Sequence, residues 1–316
     1  MNKRWIGSLT AAIIIAGGIG GYWYWQTPYA LPEISETITQ EQLNLVFAEE
    51  QEVASRKMDK QEAERGLPQS MDRLEPDQAP YAYYYGLSLL EEDREQALAY
   101  LGAAVQAVPT NLVYSTDYRI ALTRENGYQE ALDFFAALDQ NVPEVKLQTA
   151  LVYVDMLQEK GVGTAWLGQR STLSIRELNQ ILEQNPNDWL AHYARGLNNL
   201  YWPSGLQRID KAVQDLSFCL AALKQLGDQS FPFWPQLYEA YGDALVKSGD
   251  TSAGYAVWKD GLRHYPDAEG LKQRVDAGEE QAMELVKQIR GIDSFQPPAP
   301  EITDLSIIWN QKADES

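Results

Sequence analysis

Glu239 and Asp243 stand four residues apart in LYEAYGDAL, so on a helix their carboxylates share one face. Paired carboxylates are what acid–base cleavage of a glycosidic bond requires, and Glu91 with Glu92 or Asp133 with Asp139 supply further pairs. Tryptophans that could floor a sugar cleft, Trp166, Trp189, Trp202, Trp234 and Trp258, are spread along the chain. None of the acidic pairs is marked out by its neighbours. His192 occupies a packing position, and His264 lies near a helix end, where the helix dipole already favours a cation; neither has a visible nucleophile partner. The single cysteine, Cys219, sits among Leu216, Phe218 and Leu220 and reads as a small buried hydrophobe. Metal ligands come in clusters, and no cluster is visible. The glycines of GVGTAWLGQR (161–170) have no strand before them and no Lys-Ser/Thr after, so this is a connecting loop and not a phosphate cradle. The expectation is a protein that is not an enzyme, with no cofactor and no metal.

The 316 residues are 45% hydrophobic, enough for a substantial core. Against 45 Asp and Glu stand 26 Lys and Arg, a net charge of −19. Nucleic acid and anionic lipid both demand basic patches, so this balance argues against either as a ligand. Basic or uncharged partners remain.

Lys3 and Arg4 precede an uncharged stretch from Trp5 to Trp25. As a helix rising about 1.5 Å per residue it would span roughly 31 Å, the thickness of a bilayer core. Tyr22, Trp23, Tyr24 and Trp25 suit the far interface, and the positive start holds the N-terminus in the cytoplasm. A cleaved signal peptide is the competing reading, but bulky aromatics occupy the region where small residues should precede a cut. The expectation for residues 1–26 is a single-pass anchor, with everything beyond it periplasmic or otherwise extracytoplasmic. Gly17 and Gly21 could bring two spans together.

Residues 27–78 form a linker and stalk. Thr39 and Gln42 have the spacing of a capping box and predict one helix ending at Gly66 and Pro68. Its apolar stripe, Leu43, Val46, Phe47, Val53, Ala54 and Met58, packs on the following domain as a lid, or serves self-association, including a homodimer, or binds a partner.

From residue 79 to 290 small and bulky residues recur in a fixed order. The clearest unit runs from Trp234 to Asp267: Tyr238 then Gly242 on a first helix, Gly254, Trp258 and Gly261 on a second, and Pro266 closing. Gly86, Leu89, Ala97, Leu101, Ala104 and Pro109 repeat the order, as do Leu122, Ala131, Phe135 and Pro143, with Arg119 where a small residue is usual. Pro109 and Pro143 are 34 residues apart. This resembles the tetratricopeptide repeat family, whose period it matches. A third unit runs through Leu147, Val152, Val154 and Leu157, then Leu178, Ile181 and Leu182 to Pro186, with about nine residues inserted at 161–170. A fourth carries His192 and Gly196. Residues from Glu269 to Ile289 read as one capping helix, and 291–316 as a Pro-rich, then apolar tail.

The resemblance implies an all-α solenoid of about five helix pairs whose first helices line a concave surface. Its ligand-facing places fall on Tyr83, Leu87, Thr116, Ile120, Arg124, Ala150, Val154, Gln158, Tyr193, Leu197, Tyr201, Glu239, Asp243 and Lys247. Such a groove, apolar with an acidic end, suits a protein partner bringing a hydrophobic or basic segment. The expected work is docking that partner outside the cytoplasm, in assembly of an envelope or membrane complex; proteins of this layout serve there, including in maturation of c-type cytochromes. An accessory structural subunit of a membrane complex is the alternative, and a cell-wall or carbohydrate-binding or -processing helical protein a further one. The tail itself, Ile302 to Trp309, has the alternation and bulk to lie in a groove or on an edge, either its own or a partner's; in its own groove it would be an autoinhibitory plug.

Overall fold

Helix starts in this chain are written in its polar residues. Asp93, Asn111, Asp188 and Asp250 each accept a hydrogen bond from backbone N–H groups of the first turn they precede, satisfying donors that have no partner within the helix. Pro80, Pro143 and Pro235 stand in first turns, where a missing N–H costs nothing. Pro143 therefore opens a helix as much as it closes a unit.

The computed structural model describes residues 28–71, 73–227 and 231–309, so the apolar stretch from Trp5 to Trp25 lies outside it. Among the described residues fourteen α-helices follow one another and no strand occurs: α1 (Ala48–Ser55), α2 (Lys60–Gly66), α3 (Ala79–Leu89), α4 (Arg94–Ala107), α5 (Leu112–Thr123), α6 (Tyr128–Ala136), α7 (Pro143–Asp155), α8 (Thr164–Gln184), α9 (Trp189–Leu200), α10 (Ile209–Leu226), α11 (Trp234–Ser248), α12 (Thr251–His264), α13 (Glu269–Ala277) and α14 (Ala282–Arg290). None of these is long and apolar enough to cross a membrane. From α3 to α12 they pack as five successive pairs, each against its neighbours, and α13 and α14 close the last pair. The chain is an all-α stack of helix hairpins.

Glycine sets the closeness of the first, fourth and fifth pairs, most tightly in the fifth. A methyl group built on Gly242 would lie 2.2 Å from the indole nitrogen of Trp258, and one on Gly254 2.6 Å from the carbonyl oxygen of Gly242. Trp258 is wholly buried there and is aimed at the Glu239 carbonyl, 3.3 Å away. The small–large–small order is thus the condition for two helices to cross with an indole between them. Gly242→Ala should cost about 1–3 kcal/mol by overpacking, read as a lower midpoint in thermal unfolding; an unchanged midpoint would mean the crossing relaxes freely.

Three predicted elements differ. The single stalk helix is instead an extended strap and two short helices: the Thr39–Gln42 box forms, with both hydrogen bonds made at 3.0 and 3.4 Å, but Asn44 adopts φ 54° and turns the chain aside. The insertion at 161–170 is mostly helical, since α8 begins at Thr164. The capping helix breaks in two at Gly278, φ 77°.

The strap runs back along the edge of the stack where helices begin. Trp189 N–H donates to the Leu43 carbonyl at 3.0 Å, the Asn44 amide to Asp188 at 3.0 Å, and Gln225 to the Glu36 carbonyl at 2.7 Å. Further along, Glu50 accepts from Leu112 N–H, the start of α5, at 3.2 Å. Leu43, Leu45 and Phe47 are buried beneath it.

Candidate functional site

The face made by the first helices of the third and fourth pairs is not empty. After α14, at Gly291, the chain turns back across the first helices of the pairs. Phe295 packs against Trp202 with ring centres 4.7 Å apart, and the Ile292 carbonyl accepts from Ser204 N–H at 2.9 Å. Pro298, Ile302, Thr303 and Leu305 then lie over Leu147, Leu151 and Val154 of α7 and Leu190, Tyr193 and Leu197 of α9, leaving a residual cavity of about 60 Å³. Ile308 and Trp309 are buried at the end of the described chain.

Polar side chains hold this segment by its backbone. Gln158 donates to the Pro298 carbonyl. Arg119, with no exposed surface, donates to the Thr303 carbonyl, to Asp155, and through Nε to Gln148 at 2.7 Å. The Thr303 hydroxyl donates to the other oxygen of Asp155 at 2.6 Å, and Gln148 turns its amide to Thr116 at 2.9 Å. A buried guanidinium needs several acceptors, and this one finds a carboxylate, an amide and a main-chain carbonyl. Arg119 is the residue that departs from the small-residue pattern. The departure is visible in the sequence; what it reaches is not, because Thr303 lies 184 residues away.

The residues expected to face a ligand divide accordingly. Val154, Tyr193, Leu197 and Tyr201 line the residual cavity beneath the tail. Ile120, Arg124 and Gln158 border a second hollow of about 290 Å³ beside Pro300 and Asp304. Tyr83 is buried, hydrogen-bonded to Asp117 and packed on Tyr114, while Leu87 is half-buried. Thr116 and Ala150 are buried.

The acidic end is the clearest correction. Asp243, read as an open carboxylate, has no exposure and holds two guanidinium groups: Arg274 at 2.7 and 2.8 Å and Arg290 at 2.8 Å. Glu239 is 3.2 Å from Arg274. Both arginines come from α13 and α14, so the cations expected of a partner are supplied by the cap. Arg290 also donates to the Tyr201 hydroxyl. Lys247 turns inward and donates to the carbonyls of Leu200 and Arg290 at 2.8 and 3.1 Å, ending α9 and α14 together; burial and the neighbouring Arg290 push its pKa down to about 8.

These environments set a pH profile. Burial raises the pKa values of Glu50, Asp117, Glu144, Asp188 and Glu239. Each binds its proton more readily folded than unfolded, so their protonation favours the native state as pH falls from neutral. For Asp243 burial is outweighed by Arg274 and Arg290, and its pKa is lowered. Its contribution is present above the unfolded pKa and lost as pH falls through the folded one. The thermal midpoint should therefore rise on mild acidification and fall below about pH 4. A monotonic fall from neutral pH in a melting series would contradict the assignment.

No family model matches the chain. No curated protein matches it either. Among solved structures it is similar to a thermophilic TPR protein of Thermus thermophilus, at 18% identity and a TM-score of 0.46, over 63% of this chain and 97% of that one.

Of the residues weighed for catalysis, Glu91, Glu92, Asp133, Asp139 and His264 are exposed, and others are held in packing. Trp189, Trp202, Trp234 and Trp258 are buried, whereas Trp166 is half-buried with the Arg170 guanidinium 4.7 Å from its ring. His192 has both ring nitrogens engaged, with Asp215 at 2.8 Å and the Pro186 carbonyl at 2.9 Å. Cys219 is buried, and its thiol pKa is raised well above the ordinary value by that burial. Among the described residues no group of three His, Cys, Asp or Glu is placed to hold a metal.

Proposed function

We propose that this protein is a docking scaffold whose concave groove takes an extended apolar segment of a protein partner, and that its own C-terminal segment is the resident occupant. The observation that carries this reading is the manner of holding. Arg119 and Gln158 grip main-chain carbonyls while apolar walls take Pro298, Ile302 and Leu305 of a segment wound into two short 3-10 turns, the division of labour of peptide-recognising grooves, in which backbone contacts give affinity and pockets give specificity. The Asn198 amide, at the groove wall, has no hydrogen-bond partner among the described residues and is available to a further carbonyl. With the stretch from Trp5 to Trp25 as a membrane anchor, the scaffold would work at a membrane surface outside the cytoplasm, assembling an envelope complex and catalysing nothing.

The test is a titration of a fluorescent peptide carrying the sequence of residues 296–309. The native chain should bind it weakly. A chain with Ile302→Asp and Leu305→Asp, its tail released, should bind at least about tenfold more tightly, since displacement no longer opposes entry. Equal, negligible binding by both would sink the groove reading. A specific observation then favours the second reading, an accessory structural subunit: the tail would be a permanent fourth wall, and contacts would fall on the strap and the cleft of about 1080 Å³ between Phe47, Pro235 and the turn at Pro266.

A further inference from the structure

The overall charge of −19 hides a local reversal. Where the described chain begins, Tyr29 lies across α9 and α10. Its ring is covered by the guanidinium of Arg195 at 3.6 Å and approached by the ammonium of Lys211 at 4.9 Å, and its hydroxyl accepts from Asn199 at 3.1 Å. Beside it opens a hollow of about 180 Å³ whose walls include Thr172, Arg176, Arg208 and Lys211, with no carboxylate among the described residues of the lining. The nearest buried acid, Asp215, is committed to Arg195 through two hydrogen bonds of 2.8 and 2.9 Å and to His192. Glu177 touches Arg176 from outside the hollow, at 3.1 Å. Arg208 is buried, held by the Ser171 hydroxyl at 2.7 Å and against Trp202 at 4.7 Å. Its guanidinium is thus fixed at the wall of the hollow.

The position of this pocket along the chain matters as much as its charge. Trp25, the end of the apolar stretch, precedes Tyr29 by four residues, which extend at most about 14 Å. A helix crossing the bilayer up to Trp25 would leave the pocket at the depth of the lipid headgroups. We propose that this hollow takes the phosphate of an anionic phospholipid headgroup, seating the third and fourth helix pairs against the membrane. Three cations face it, with threonine, asparagine and tyrosine side chains beside them able to hydrogen-bond phosphate and glycerol oxygens. This rests on the membrane-anchor reading of the proposed function. It also reverses what composition suggested: the basic residues are few, but the fold gathers three of them around one hollow where lipid would be met.

The experiment uses the full chain in neutral detergent, with lipid retention followed by native mass spectrometry. Phosphatidylglycerol should be retained one per chain and phosphatidylcholine much less. The double substitution Arg176→Gln with Lys211→Gln, at partly exposed positions whose loss should leave folding intact by circular dichroism, should weaken phosphatidylglycerol retention about tenfold or more. Arg208→Lys, which keeps the charge but loses the planar group, should lie between. Equal retention of the two lipids, or no effect of the double substitution, overturns the proposal. Displacement of the lipid by millimolar inorganic phosphate overturns it in favour of a soluble anion. Flotation of the full chain with pure phosphatidylcholine vesicles tests the anchor separately: a chain that does not float refutes the span, whereas one that floats without preferring phosphatidylglycerol refutes the headgroup site alone.

Discussion

Asp243→Ala lowers the midpoint of thermal unfolding by roughly 6–20 °C. The carboxylate is wholly buried and receives three short hydrogen bonds from Arg274 and Arg290. Removing it leaves two guanidinium groups inside the protein facing each other without an anion. Breaking a buried pair in this one-sided way costs about 3–5 kcal/mol, and each kcal/mol shifts the midpoint of a domain this large by about 2–4 °C. Glu239 compensates only in part, through its contact with Arg274. The matched control is Asp260→Ala. That carboxylate also meets two cations, Lys224 and Arg263, but at a largely solvated surface where ion pairs are worth less than about 1 kcal/mol. Differential scanning calorimetry of the two variants checks the contrast, and equal shifts would mean that the cap is not held by this network.

The second large effect is at the tail clamp, where stability and tail retention can be separated. Arg119→Met alone strands Asp155 in the interior and removes the donor to the Thr303 carbonyl, so the protein should lose about 3–5 kcal/mol and the tail should loosen. Arg119→Met with Asp155→Leu removes both charges. Replacement of a buried pair by apolar groups is often close to neutral, so this chain should recover to within about 2 kcal/mol of the native one. It still lacks the donor to Thr303 and the acceptor for its hydroxyl. Limited proteolysis between residues 291 and 300 should therefore remain faster in the double variant than in the native chain, although its global stability has returned. If cleavage falls back together with the melting temperature, the clamp serves the core and not the tail.

The fold is legible where its physics is local. Gly242, Gly254 and Trp258 announce a tight helix crossing because no other residue fits where a methyl would lie 2.2 Å from an indole. Asp and Asn caps and first-turn prolines mark helix starts from within four residues. What escapes is non-local or irregular. Asp243 looks like a free acid in the sequence because its partners arrive from 31 and 47 residues further on, in helices outside the repeat pattern. The strap imitates a helix because its capping box is real; a single residue at positive φ, Asn44, then decides otherwise, and nothing in a hydrophobic stripe reports it. Val154, Tyr193, Leu197 and Tyr201 line one cavity, but no periodicity could say that the tail would cover it. The basic hollow is invisible to a charge averaged over the chain, since it belongs to a surface that only folding creates.

The strap is also made early and placed late. Tyr29 N–H is paired with Gln214, 185 residues later, and Gln225 holds Glu36. During translation at about 5–20 residues per second, Leu43, Leu45 and Phe47 emerge roughly 10–40 s before the helix that anchors their segment exists. For that interval a nascent chain bears a sticky, unclaimed apolar leader, the period in which a holding chaperone has something to hold.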